Sequence, residues 1–124
     1  MIVLDASVLI AHFDAADAHH DAADQQLLEI AEQPLGCSPL TLAEVLAGPA
    51  RSGRLEEVNR AIEELEVVEI PLPPGAAPRL ARLRAETGLK LPDCCVLLAA
   101  EIGEAQFLLT FDDRLRREAQ RLGF

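Results

Sequence analysis

Short, uninterrupted apolar runs alternate with longer stretches of helical periodicity along the whole chain. Met1–Leu4 is apolar throughout and is closed by Asp5, the pattern of a short strand buried on both faces. Val67–Ile70, β-branched and followed by Pro71, and Gln106–Thr110 read the same way, and Gly36–Cys37 leaves room for one very short strand. Between these runs, Ala6–Phe13 predicts a short helix and Ala15–Ala31 a longer one, broken at Pro34–Gly36. Ser38-Pro39 reads as an N-cap followed by a first-turn proline, opening a helix to about Ala47, where Gly48-Pro49 and then Gly53 punctuate. Leu55–Leu65, Ala77–Thr87, Pro92–Ile102 and Asp113–Leu122 complete the helices, with a turn at Pro73-Pro74-Gly75. The helix that Pro92 opens is apolar almost all round, so it is expected at the centre of the molecule.

Buried strands alternating with helices imply an α/β fold: a short parallel sheet with helices on both faces, spanning residues 1–124 as one domain. Ligands of such sheets bind beyond the carboxyl ends of the strands. That edge is where the acids become informative. Asp5 and Asp112 each follow a predicted strand, while Glu44 and Asp93 would reach the same edge from helices.

Each acid has an ordinary reading on its own. Asp5 and Asp112 could be N-caps, and Asp93 in a first helical turn is favoured by the helix dipole. Glu44 is harder to dismiss, because its helical neighbours are Leu40, Thr41, Ala47 and Gly48, with no charge among them. The helix that Asp93 opens offers no charged partner until Glu101. An ionised carboxylate in apolar surroundings needs a counter-charge. Four together ask for a hard cation, Mg²⁺ or Mn²⁺, rather than zinc. The chemistry that wants this set is phosphodiester hydrolysis, in which two such ions about 3.5–4 Å apart stabilise the attacking and departing oxygens. No histidine base or covalent nucleophile is required.

Composition narrows the classes further. Half of the 124 residues are hydrophobic, with no Trp or Tyr and four Phe, so the core must be aliphatic. No apolar run is long enough to span a membrane and no basic leader precedes Met1–Leu4, so a cytoplasmic protein is expected. Cys37, Cys94 and Cys95 are an odd set with an adjacent pair, which fits small hydrophobes in a reducing compartment better than disulfides or zinc. The net charge of −10 is lopsided: residues 1–70 carry 14 acids and 3 bases, residues 71–124 carry 7 and 8. That disfavours nucleic-acid binding by a general basic surface and leaves room for an enzyme meeting phosphates through cations and a few arginines. It also suits a basic protein partner.

The motifs resemble those of the PIN domain family, and within it the VapC-type toxins of VapBC toxin–antitoxin pairs. The resemblance spans essentially the whole chain. It rests on Ile2-Val3-Leu4-Asp5-Ala6-Ser7, on Ser38-Pro39-Leu40-Thr41-Leu42-Ala43-Glu44-Val45, on Leu91-Pro92-Asp93 and on Leu108-Leu109-Thr110-Phe111-Asp112. It implies a PIN-like three-layer α/β/α sandwich and an Mg²⁺- or Mn²⁺-dependent endoribonuclease cutting RNAs such as transfer or ribosomal RNA. It further implies that Asp5, Glu44, Asp93 and Asp112 are metal-binding and catalytic, with Ser7 and Thr110 supporting them. A homodimer neutralised by a cognate VapB antitoxin is also implied. Asp113 adjoins Asp112 and either could face the metals; the Thr-x-Asp pattern favours Asp112.

His19-His20 lies among Asp17, Asp21 and Asp24, but adjacent histidines diverge by about 100° on a helix, so an acidic surface is the preferred reading over a metal site. His12 is read as a helix-surface or core-edge residue rather than a catalytic base. Arg79, Arg82 and Arg84, and then Arg114, Arg116, Arg117 and Arg121, form two basic helices. Arg114, two residues past Asp112, is the best candidate for an RNA phosphate contact. Two other functions compete. A signalling receiver domain needs an acidic pair after its first strand and a mid-chain aspartate, and no aspartate lies between Asp24 and Asp93. A non-catalytic PIN-like interaction module would keep the fold with acids that serve only structure.

Overall fold

In the computed structural model, which describes residues 1–124, Ile2, Val3 and Leu4 are all buried because their strand lies inside the sheet. That strand, β1 (Ile2–Leu4), pairs in parallel with β2 (Leu35–Cys37) on one side and β4 (Phe107–Leu109) on the other. Next, β3 (Val67–Glu69) adds to β2, giving the order β3-β2-β1-β4. The helices are α1 (Ala6–Phe13), α2 (His20–Glu29), α3 (Pro39–Arg51), α4 (Leu55–Glu64), α5 (Ala76–Thr87), α6 (Leu91–Ile102) and α7 (Asp113–Arg121).

The two-residue period of β1 divides the core. Ile2 and Leu4 face the layer of α1 to α4, packing with Val8, Leu9, Ala23, Leu27, Val45, Val58 and Ile62. Val3 faces the layer of α5 to α7, with Leu83, Val96, Leu97 and Leu115. Each Val, Leu or Ile so buried contributes roughly 1.5–3 kcal/mol. Cys94 to Ala100 are buried without a break, so α6 is the central helix that its composition predicts. Between the layers Gly36 of β2 leaves room for the ends of Ile70 and Met1, since a Cβ there would lie 2.7 Å from Ile70 Cδ1 and 3.0 Å from Met1 Sδ and both would have to shift. The expected three-layer α/β/α sandwich is the observed one.

Two helix boundaries differ by more than two residues from those the sequence predicts. Residues 15–19 form turns, and α2 begins only at His20. The carboxylates of Asp14 and Asp17 accept from the backbone N–H of Ala16 (3.0 Å) and His19 (2.8 Å), side-chain bonds that compete with helix formation. Conversely, α3 runs through Gly48-Pro49 to Arg51. Proline restricts the residue before it through that residue's Cβ, and Gly48 has none. At the sheet edges Val68 is 50% and Phe107 64% exposed, so those two apolar runs are not buried on both faces.

All three cysteines are free and buried, and burial pushes the Cys37 thiol up to about 12. Such thiols are unreactive, as the small-hydrophobe reading expects. No helix is long and apolar enough to cross a membrane.

Candidate active site

Parallel register puts Leu4 opposite Leu109, so the next residues, Asp5 and Thr110, leave the sheet side by side. Asp5 is 6% exposed. Its Oδ2 accepts from Thr110 Oγ1 at 2.7 Å and from Ser7 Oγ at 2.9 Å. Both hydroxyls are held in turn: Phe111 N–H donates to Ser7 Oγ and Asp112 N–H to Thr110 Oγ1, each at 3.0 Å. Asp5 precedes α1 but makes no side-chain capping bond, so the N-cap reading fails for it. Asp112 does cap α7, its Oδ1 accepting from Arg114 N–H (2.9 Å) and Leu115 N–H (3.1 Å). Arg116 closes this corner by donating to the Thr110 carbonyl at 2.7 Å.

Glu44 and Asp93 arrive from α3 and α6. Burial raises the pKa of Asp93, and the charges of Asp5 and Asp112 raise it further against Lys90 and Arg114. Glu44 is raised by burial, then by Asp5 and Asp93, against Lys90. Asp93 thus senses both strand-end acids, and Glu44 senses Asp5 and Asp93, at one end of the sheet. They are not equally enclosed, however. Only Asp5 is buried, Asp93 is half-buried, and Glu44 and Asp112 are exposed.

Asp113 turns to solvent and pairs with Arg116 at 2.7 Å. Arg114 donates to the Gly88 carbonyl at 3.1 Å while facing Asp93. Lys90, the only lysine, faces both Glu44 and Asp93, and sequence reading passed over it. Its place three residues before Asp93 was the available signal. The histidines stand apart: His12 and His20 both contact Asp24, at 2.6 and 3.3 Å, and His19 stacks on Phe111.

As they stand, no three His, Cys, Asp or Glu side chains close round one point as a rigid metal cage would. Mg²⁺ does not require such a cage, because it keeps several waters and takes one or two carboxylates plus substrate phosphates. An all-oxygen donor set whose members repel one another fits a hard divalent cation.

The PIN domain family model matches residues 2–120. The chain belongs to the PIN domain family. This is the family its motifs resemble, and a receiver domain is excluded. A toxin–antitoxin complex from Klebsiella pneumoniae is 25% identical over 88% of this chain and 85% of that one, with a TM-score of 0.72. VapC20 of Mycobacterium tuberculosis, a toxin that cleaves the sarcin-ricin loop, is 18% identical with a TM-score of 0.77, covering 100% of this PIN domain and 96% of its own chain. FitAcB from Neisseria gonorrhoeae is 17% identical with a TM-score of 0.72, covering 97% and 94%. At those lower identities the likeness establishes the fold. No curated protein sequence is significantly similar to the chain.

Proposed function

We propose that this PIN domain is a divalent-cation-dependent endoribonuclease and the toxin of a VapBC-type pair. The observation that carries the reading is the placing of Asp5, Glu44, Asp93 and Asp112 toward the carboxyl edge of the sheet, with Glu44 and Asp93 raised above the ordinary carboxylate range first by burial and then by the neighbouring acids. Similarity to toxins, one of which cleaves an RNA loop, supports RNA as the substrate and a small antitoxin as the partner. A cytoplasmic homodimer belongs to the same reading.

In this reading the four carboxylates hold Mg²⁺ or Mn²⁺, which when bound supplies charge stabilisation at the phosphate and a more acidic attacking water. Ser7 and Thr110 fix the orientation of Asp5 by occupying one of its oxygens, leaving Oδ1 free of protein hydrogen bonds. Asp112 likewise commits Oδ1 to its helix and keeps Oδ2 available. The side chains of Glu44 and Asp93 make no hydrogen bond within the protein, so their carboxylates would be free to hold the cation. Lys90 and Arg114 lie beside the acids, where a phosphate would arrive.

The test is cleavage of total cellular RNA by wild type and Asp5→Asn in Mg²⁺ or Mn²⁺, with a chelator control. Discrete fragments from metal-loaded wild type alone support the nuclease. No cleavage, together with no cation binding by calorimetry, would favour the interaction module.

A further inference from the structure

A cleft of about 460 Å³ lies between α1 and α3 and meets the acids through Glu44. Its floor is the stripe Glu44, Gly48 and Arg51 of α3, spaced so that all three share one face. Ile10 and Phe13 of α1 line it from the other side. Gly48 leaves the floor open: a Cβ there would meet no atom nearer than Arg51 Nη2 at 4.0 Å. The Arg51 guanidinium therefore lies back along the helix over Gly48, in the direction of Glu44.

Arg51 is unengaged. The arginine–acid pairs of the protein are Arg54–Glu57, Arg79–Glu101, Arg116–Asp113 and Arg121–Glu118, and Arg51 belongs to none of them. Arg54, which lines the same cleft, is tied to Glu57 at 3.1 Å. Asp14 also lines the cleft and Glu44 borders it, yet neither pairs with Arg51, so in a chain of net charge −10 its guanidinium is left free to meet an anion from outside. A guanidinium presents the fork that matches a phosphate.

We propose that Arg51 is a substrate-positioning residue: it holds a backbone phosphate of the RNA strand flanking the bond to be cut, with the strand running along α3 over Gly48. The proposal rests on the nuclease reading above. Seven residues of helix separate Glu44 from Arg51, about 10 Å along the axis, so the contact falls close to the bond but outside the reacting atoms. A strand engaged at the acids must leave them on both sides, and this cleft is the path that Glu44 borders. Phe13 offers a ring on which a base can stack without sequence preference.

The test is fluorescence anisotropy of a short labelled single-stranded RNA in Ca²⁺, from about 50 to 200 mM salt, with cleavage measured in parallel in Mn²⁺. Wild type, Arg51→Ala, Arg51→Lys and Gly48→Leu are compared, their helicity checked by circular dichroism. Loss of one phosphate contact from a single strand lowers the log–log salt slope by about 0.7, about fivefold in affinity at 0.1 M salt. Arg51→Ala is expected to show both, with KM raised by a similar factor and kcat unchanged. Arg51→Lys restores the slope, and Gly48→Leu weakens binding by filling the cleft. Unchanged affinity and slope in Arg51→Ala, with cleavage intact, overturns the assignment while leaving the nuclease standing. Weakened binding of an acidic peptide instead of RNA overturns it in favour of a protein-docking role. Wild type that neither binds nor cuts RNA overturns the nuclease reading itself.

Discussion

The two halves of the candidate site are built on opposite principles. On the strand side, Ser7 and Thr110 donate to Asp5 and accept from the backbone N–H groups of Phe111 and Asp112, a relay of hydrogen bonds between 2.7 and 3.0 Å. On the helix side, Glu44 and Asp93 have no such partners, and their pKa values rise under burial and the charges of the other acids. One half is oriented by folding, with one oxygen of Asp5 and one of Asp112 committed, and the other is left with a repulsion that Lys90 and Arg114 oppose and a bound cation would relieve. Sites that must bind a charged ligand commonly concentrate perturbed groups in this way. The contrast assigns different jobs: the relay fixes position, and the helix acids hold charge.

The largest expected effect comes from removing the charge at the centre of the relay. Asp5→Asn keeps the shape and oxygen acceptor that Ser7 and Thr110 use, so the fold should survive. RNA cleavage in Mn²⁺ should fall by more than the roughly 10–100-fold typical of groups that merely support a metal ligand. Thr110→Val sharpens the contrast. It removes a donor to Asp5 and the acceptor of Asp112 N–H, so a cleavage loss of about 10–100-fold is expected. An equilibrium denaturant titration should show it about 1–3 kcal/mol less stable.

The helix side predicts a pH dependence of the opposite sign to that of a salt-bridged carboxylate. Glu44 and Asp93 bind protons more tightly folded than unfolded, so without cation their contribution to stability falls as pH rises from the ordinary carboxylate values of 4.5 and 3.8 through the raised ones. Denaturation midpoints in chelator should follow that slope. In Mn²⁺ the gain over chelator should grow across the same pH range, and a gain independent of pH would break the comparison. The smallest effect is expected at Asp113. Its carboxylate pairs with Arg116 at the surface, so Asp113→Asn should leave the cleavage rate unchanged and cost at most about 1 kcal/mol.

Much of this was legible in the chain because the informative features are local. Continuous apolar runs mark the strands, and an acid at the end of a run lies at the carboxyl edge once the sheet is parallel. The start of α2 departs from its helical pattern because Asp14 and Asp17 bond backbone amides that the helix would otherwise claim. The passage of α3 through Pro49 depends on Gly48 standing before it. Exposure was the harder quantity: the apolar neighbours of Glu44 suggest burial, yet the side chain reaches the surface, because enclosure depends on what α1 and α6 leave open. Lys90 and Arg51 were passed over for a related reason, since each gains meaning only from groups distant in sequence.

The most direct test of the two-part site is the thermal stability of wild type and Asp93→Asn, each in chelator and in Mn²⁺. Removing one of the repelling charges should leave metal-free Asp93→Asn at least as stable as metal-free wild type, while the Mn²⁺-induced rise in Tm shown by wild type is lost. A variant that is less stable without metal and still gains as much from Mn²⁺ would contradict the claim that these acids are held apart for a cation.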